Sequence, residues 1–174
     1  LEKAVIGGVK YEAPNGLTRQ MGGLRSTIVT NVIAGAGAVS NEKINDAFQA
    51  VFEKGGFATG GSYKIIVGAK QKRAISGLDV SKINLDRLDN GRGQVVDHFI
   101  SDFGAAEIVL NNNLAADELY IVDANRISIH SLTGRDFFHE YLGKKGDYYE
   151  GQIVGEYTLM LQQEKAHARI TGLV

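Results

Sequence analysis

Residues 28–77 read IVTNVIAGAGAVSNEKINDAFQAVFEKGGFATGGSYKIIVGAKQKRAISG, and the order of their patterns indicates the class of the protein. The β-branched run Ile28–Ile33 predicts a strand that ends in a Gly-Ala-Gly tripeptide. A helix follows, then a short strand of buried type over Tyr63–Val67, and then a short basic helix over Ala69–Ser76. Alternation of strand and helix indicates an α/β unit.

The first helix of this stretch has the clearest periodicity in the chain. Ser40 or Asn41 can cap its N-terminus, and Gly55-Gly56 stops it. We expect the apolar stripe between them to be buried against a sheet or another helix. The stripe consists of Ile44, Ala47, Phe48, Val51 and Phe52.

Toward the C-terminus the pattern changes to strands joined by Gly- and Asn-rich turns. Strands are predicted near Val95–Asp102, Ala106–Leu110, Leu119–Asp123 and Arg126–His130.

The last segment predicts one long strand in two phases. One set shares the odd positions, namely Ile153, Tyr157, Leu159 and Leu161, whereas Ala166, Ala168 and Ile170 share the even positions. A shift of one residue in a period of two requires a bulge or bend, which we place near Gln162–Glu164.

The N-terminal segment predicts the end of a helix followed by a loop. Leu1, Ala4 and Val5 have helical spacing before a pair of glycines. We therefore expect these residues to form the last turns of a helix whose earlier part lies before Leu1. The segment Tyr11–Arg25 contains the single Pro and two glycine-rich turns, and we interpret it as a loop.

The whole chain has the composition of an ordinary globular protein. Its 174 residues carry 19 Lys and Arg against 20 Asp and Glu, a formal net charge of -1, and 44% are apolar. A charge this close to zero argues against a nucleic-acid binder, and no run approaches the roughly 18 apolar residues of a membrane span. The absence of Cys excludes disulfides, cysteine-ligated zinc and thiolate nucleophiles from these residues.

The most tempting chemical motif is the Gly35-Ala36-Gly37 turn between the first strand and the helix. Dinucleotide-binding folds place glycines there so that a pyrophosphate can approach helix N–H groups. The match is incomplete, because Ser40 stands where a third Gly or Ala belongs and no acid follows the second strand. A small α/β enzyme, or a nucleotide- or phosphate-binding domain using this turn, is the alternative function.

Three other patterns are weaker. Ser40 and Lys43 have the SxxK spacing of a serine nucleophile and its base, but a Ser at this place is far more often a helix cap. Asp86–Gly91 resembles a calcium loop in which Leu88 occupies a position that needs an oxygen ligand. No two histidines are spaced to share a helix face. The four histidines of the sequence are His98, His130, His139 and His167. We therefore predict no catalytic residue, no cofactor and no metal.

Aromatic and basic residues are concentrated between residues 137 and 149, with neither a helical nor a strand period. Aromatic residues are enriched in protein interfaces, although these could also form a small core under a loop. The candidate subunit contacts are Phe137, Phe138, Tyr141, Lys144, Lys145, Tyr148 and Tyr149.

Two ordered runs carry a resemblance to a known family. The first is YKIIVGAKQKRAI at Tyr63–Ile75. The second combines YLGKKGD at Tyr141–Asp147, GQIVGEYTL at Gly151–Leu159 and EKAHA at Glu164–Ala168. In this order they resemble tailed-phage major capsid proteins of the Hong Kong 97-like, or Johnson-fold, family, over most of residues 24–174.

The resemblance implies an α+β fold with a mixed sheet, short helices and a long bent C-terminal strand. It also implies a division into three parts. Residues 1–27 would be the end of a spine helix and a loop of the peripheral domain, residues 28–150 an axial-type α/β domain, and residues 151–174 a strand that returns to the peripheral domain. The family's N-terminal arm, extended loop and most of its spine helix have no counterpart in these residues.

The resemblance further implies a structural, non-enzymatic role. The chain would be the major capsid subunit of a bacteriophage or prophage head, which self-assembles into an icosahedral shell around double-stranded DNA. Its partners would be copies of itself, as hexamers and pentamers, and other head proteins, without sequence-specific nucleic-acid binding or membrane contact. It would be located in the virion capsid after assembly in the bacterial cytoplasm. An oligomeric adaptor of the phage tail or neck is a third possibility.

Overall fold

The structure is a computed structural model that describes residues 1–14, 19–57, 62–78 and 98–174. Within these ranges the helices are α1 (Glu2–Gly7), α2 (Leu24–Thr27), α3 (Asn41–Glu53) and α4 (Ala69–Gly77). The strands are β1 (Tyr11–Glu12), β2 (Arg19–Gln20), β3 (Val32–Gly37), β4 (Tyr63–Val67), β5 (His98–Ser101), β6 (Gly104–Leu110), β7 (Leu119–Asp123), β8 (Ile127–Ser131), β9 (Phe138–Lys145), β10 (Tyr148–Val154), β11 (Tyr157–Leu161) and β12 (Ala168–Leu173). Short 3-10 turns lie at Ala124–Arg126 and Glu164–Ala166.

A six-stranded mixed sheet forms the centre of the fold, in the order β3-β12-β7-β4-β6-β5. The pairs β3–β12 and β4–β6 are parallel, whereas β7 pairs antiparallel with both β12 and β4. The strand β12, formed by nearly the last residues of the chain, therefore lies inside the sheet. The mixed sheet and short helices confirm the predicted α+β class.

Every residue of β7 is buried because both faces of the sheet are covered. Leu119 and Ile121 belong to the core cluster that includes the apolar stripe of α3. Tyr120 and Val122 point to the other face and pack in a second cluster with Ile6 from α1. This two-sided burial explains why Leu119–Asp123 reads as a nearly continuous apolar run.

The predicted elements of the deciding stretch are largely confirmed. Tyr63–Val67 is a strand, and a helix follows from Ala69. The Ser40 side chain caps α3 and accepts a hydrogen bond from the Lys43 backbone N–H at 3.3 Å. Four residues of the α3 stripe are buried, but Phe52 is 51% exposed.

The prediction of a strand over Ile28–Ile33 ended by a glycine turn is wrong. Ile28 is buried at the end of α2, and the N–H groups of Val29 and Thr30 donate to the Glu164 carboxylate instead of to a strand. The strand β3 begins at Val32 and includes all of Gly35-Ala36-Gly37.

Gly35 is required by packing, and it does not form a strand-to-helix turn. A Cβ atom at Gly35 would lie 2.8 Å from Ile170 Cγ2 and 2.8 Å from Leu173 Cδ2, both side chains of β12. Because these glycines lie inside a sheet strand, they do not form the phosphate-binding turn of the alternative function.

We expect Gly35→Ala to lower the free energy of unfolding by about 1 to 3 kcal/mol, since the added methyl group overpacks the β3–β12 contact. Urea unfolding of the purified protein measures this loss. Gly77→Ala at the end of α4 is the matched control, because a Cβ there meets nothing within 4 Å. Equal unfolding midpoints for the two variants would contradict the packing role of Gly35.

The prediction of a single long C-terminal strand is also wrong in detail. It divides into β10, β11 and β12, which pair with β9, β8 and the central sheet respectively. The predicted bend is confirmed, because the phase changes at the 3-10 turn Glu164–Ala166, preceded by Gln163 in the left-handed conformation with φ of 51°.

The remaining differences are local. The predicted loop Tyr11–Arg25 contains the short pair β1–β2 and the start of α2. In the described residues the predicted strand near Val95–Asp102 corresponds to β5, which ends at Ser101, and residues 95–97 lie outside the described ranges.

Candidate subunit interface

Residues 127–161 leave the central sheet after β7 and return before β12 as two antiparallel strand pairs. β8 pairs with β11, and β9 pairs with β10, so the outgoing chain runs beside the returning chain. We call this segment the ribbon. Its base is anchored by Ile127, Leu159 and Leu161, which pack against the second core cluster.

Polar contacts and one ring pair connect the two halves of the ribbon. The Glu156 N–H donates to the Arg135 carbonyl, and the side chains of these residues form an ion pair. Asp136 accepts hydrogen bonds from the Tyr157 hydroxyl and from the Phe137 N–H, which hold the pKa of its carboxyl below the usual value. The rings of Phe137 and Tyr157 are 4.9 Å apart.

The outer half of the ribbon is a β-hairpin that sequence reasoning missed. β9 and β10 are joined by Gly146-Asp147, with Gly146 at a φ of 69°. A two-residue Gly-Asp connection is a hairpin signal, because glycine adopts this left-handed conformation without steric cost. That dipeptide could have identified the hairpin from the sequence.

A bulge conceals the strand period of this segment. Glu150 pairs with Gly143, whereas the next residue, Gly151, pairs with Tyr141, so Leu142 is an extra residue in β9. The extra residue moves later side chains to the opposite face. For this reason the residues between 137 and 149 show no alternation in the sequence.

One face of the hairpin is aromatic and carries positive charge. The rings of Tyr141 and Tyr149 are 6.0 Å apart, and the Lys144 ammonium lies 5.9 Å from the centre of the Tyr149 ring. The pairs His139–Ile153 and Lys144–Tyr149 of the register lie on this face. We call it the aromatic face, and its members are His139, Tyr141, Lys144, Tyr149 and Ile153.

The opposite face carries polar pairs that satisfy one another. The Gln152 amide donates to the Glu140 carboxylate at 2.6 Å, and Lys145 lies 3.8 Å from Glu150. We call this the polar face, and it also carries Phe138, Tyr148 and Val154 according to the register.

The structure places all seven predicted contact residues on the ribbon, six in the hairpin and Phe137 just before it. All seven are exposed, with Tyr141 at 59%, Tyr148 at 57% and Tyr149 at 71%. The alternative of a small core under a loop is therefore wrong. A two-stranded hairpin exposed on both faces is marginally stable alone, and clustered exposed apolar side chains mark interaction surfaces.

A buried polar group holds the ribbon to the sheet where β11 gives way to β12. His167 is fully buried; its Nδ1 accepts the Asp123 N–H at 3.1 Å, and its Nε2 donates to the Gln162 carbonyl at 3.3 Å. Burial lowers the pKa of this imidazole below its ordinary value, with smaller effects from the charges of Asp123, Arg126 and Glu164.

The lowered pKa of His167 predicts acid sensitivity. The folded state binds fewer protons than the unfolded state, so its stabilisation is present above the ordinary histidine pKa of about 6.5 and is lost as pH falls from there toward the lowered value. We expect the wild type to lose more unfolding free energy between pH 7.5 and pH 5 than His167→Gln, measured by urea titration. The control is His130→Gln, at an exposed site; wild-type acid sensitivity in His167→Gln would contradict the assignment.

The described residues show no assembled catalytic or metal centre. Lys43 donates its ammonium group to the Ala38 carbonyl, so the SxxK residues act as parts of a helix start. No three metal-binding side chains cluster in the described part of the chain, and Asp86–Gly91 lies outside it. Nor does any helix among the described residues have the length and apolar character to cross a membrane.

A cavity of about 400 Å³ lies between α1, α2 and the loop before β7. Its acid, Glu118, is ion-paired with Arg25 at 3.1 Å and accepts the Tyr120 hydroxyl at 2.6 Å. The lining contains no His, Ser or Thr that could act as a base or nucleophile.

Comparison with known proteins finds a matching family model and solved structures of similar fold. The family model described as SU10 major capsid protein matches residues 1–174. No curated protein matches the chain.

Solved structures resemble the fold at low sequence identity. A satellite phage P4 procapsid chain gives a TM-score of 0.59 at 11% identity and covers 99% of this chain and 61% of its own. A Mycobacterium phage Patience chain gives 0.57 at 12% identity, covering 99% and 60%. The cyanophage A-1(L) capsid gives 0.55 at 9% identity, covering 96% and 58%. The chain thus spans about three fifths of the length of these structures, and the likeness shows a shared fold.

Proposed function

The chain belongs to the SU10 major capsid protein family, and from that membership we propose that it forms the shell-building core of a phage head subunit. Copies would associate as hexamers and pentamers into an icosahedral shell around double-stranded DNA. Assembly would take place in the bacterial cytoplasm, with other head proteins as further partners. The match over residues 1–174 is the observation that carries the proposal.

The ribbon supports this function physically. A shell subunit needs exposed surfaces that fit other copies, and the hairpin exposes aromatic side chains on both faces. Among the seven residues named from the sequence, we propose that Tyr141, Lys144 and Tyr149, which share one face of the hairpin, contribute the main contacts between copies. The division into peripheral parts, residues 1–27 and 151–174, and an axial part, residues 28–150, stays a prediction.

A non-catalytic role is part of the same proposal. The family is described as a capsid protein, and the glycines of the alternative function lie inside β3. A thermal shift screen with nucleotides addresses the alternative directly, because a ligand that binds the folded state raises the melting temperature. A clear rise would favour the phosphate-binding domain.

Negative-stain microscopy of the full-length protein, expressed alone in bacteria, tests the function. We expect closed shells of uniform size that sediment far faster than the subunit. Open rings or short tubes would favour the tail or neck adaptor, and a protein that remains monomeric at high concentration would contradict the shell function.

A further inference from the structure

A second exposed patch lies outside the ribbon, where Phe52 at the end of α3 meets Phe103 in the turn between β5 and β6. The rings of Phe52 and Phe103 are 5.5 Å apart, and Phe52 is half exposed although its spacing belongs to the buried stripe. Their sequence neighbours Glu53 and Asp102 are exposed acids. We call these four residues the acidic patch.

The acidic patch complements the aromatic face of the hairpin. The positive charge on the aromatic face comes from Lys144, while the acids of the hairpin strands, Glu140 and Glu150, lie on the polar face. Each surface presents two aromatic rings beside its charge. Aromatic pairs prefer offset or edge-to-face contacts, and opposite charges at the rim fix register and suppress wrong partners.

The complementary surfaces lie on different parts of one chain, so they can form a head-to-tail contact between copies. Such heterologous contacts close into rings when the rotation between copies allows it. A hairpin that met its own copy about a two-fold axis would instead bring two aromatic faces of the same charge together.

Resting on the proposed shell function, we propose that the aromatic face of one copy binds the acidic patch of a neighbouring copy. The polar face, whose charged groups are already paired within the hairpin, stays in solvent. Each subunit then uses its aromatic face in the contact with one neighbour and its acidic patch in the contact with another.

Engineered cysteines test the contact, because these 174 residues contain none. The full-length protein carrying Phe52→Cys and Tyr149→Cys is assembled, oxidised and run on a non-reducing gel. We expect a ladder that extends beyond the dimer, since each copy links to a different neighbour on each side. The control pairs Phe52→Cys with Tyr148→Cys on the polar face, where no ladder forms.

Single-cysteine variants separate the outcomes. Dimers from Tyr149→Cys alone would overturn the proposal, because they would show that hairpin meets hairpin. Shells that form normally without a ladder would also overturn it while leaving the shell function intact. Absence of shells from the wild-type protein would contradict the proposed function itself.

A charge exchange tests the same contact without any disulfide geometry. Lys144→Glu and Glu53→Lys each bring like charges together, and we expect each to raise the concentration needed for shell assembly at least threefold. The double variant restores the pair and should return to within twofold of the wild type. A double variant that assembles no better than the worse single variant would overturn the pairing.

Discussion

Shell assembly by the full-length protein is expected to need at least ten times more protein when Tyr141 and Tyr149 are both replaced by Thr. Tyrosines are enriched among the few interface residues whose truncation costs about 2 kcal/mol or more, and about 1.4 kcal/mol corresponds to a factor of ten. Threonine keeps the preference for strand structure, so the hairpin itself should persist. Sedimentation across a concentration series measures the threshold.

Tyr148→Thr is the matched control for this prediction. Tyr148 is adjacent in sequence and has nearly the exposure of Tyr141, 57% against 59%, but it lies on the polar face. We expect its assembly threshold to stay within twofold of the wild type. Equal losses in both variants would show that the two faces do not differ, and an unchanged threshold in the double variant would remove the hairpin from the interface.

The largest stability loss is expected from Phe48→Ala, at about 3 to 5 kcal/mol. Phe48 is fully buried, with ring centres 4.9 Å from Phe57 and 5.7 Å from Phe99, so truncation leaves a cavity between α3 and the sheet. In a domain of this size the melting temperature should fall by roughly 6 to 20 °C. Calorimetry of the unassembled protein measures both quantities.

Phe52→Ala on the same helix controls for the loss of a ring. Its side chain is half exposed, so we expect a loss of about 1 kcal/mol or less. A melting temperature for Phe48→Ala close to that of Phe52→Ala would contradict the placement of the core.

Local periodicity was a good guide wherever one element carries its own pattern. The stripe of α3 and the run of β4 were predicted because the helical spacing and the short apolar run can be recognised within each element. The hairpin was missed because its bulge at Leu142 cancels the alternation by which strands are recognised. Their aromatic and basic composition still marked these residues as candidate contacts, and the structure shows that they are exposed.

The parts of the fold that the sequence did not predict depend on contacts between residues far apart in the chain. The N–H groups of Val29 and Thr30 donate hydrogen bonds to the Glu164 carboxylate instead of to a neighbouring strand, although Glu164 and Thr30 are 134 residues apart in sequence. Gly35 is a glycine because the side chains of β12 lie against it, and no local pattern in residues 28–39 contains that information.

The amino-acid order alone predicted the capped helix α3 and the bend before β12, because each depends on neighbours within a few residues, and the family resemblance implied the α+β fold class. Only the tertiary structure shows that the C-terminal segment forms three strands, each with a different pairing partner. It also shows which hairpin side chains lie on the aromatic face and which lie on the polar face. Strand pairing sets which face a side chain occupies, and pairing partners are chosen by the whole chain.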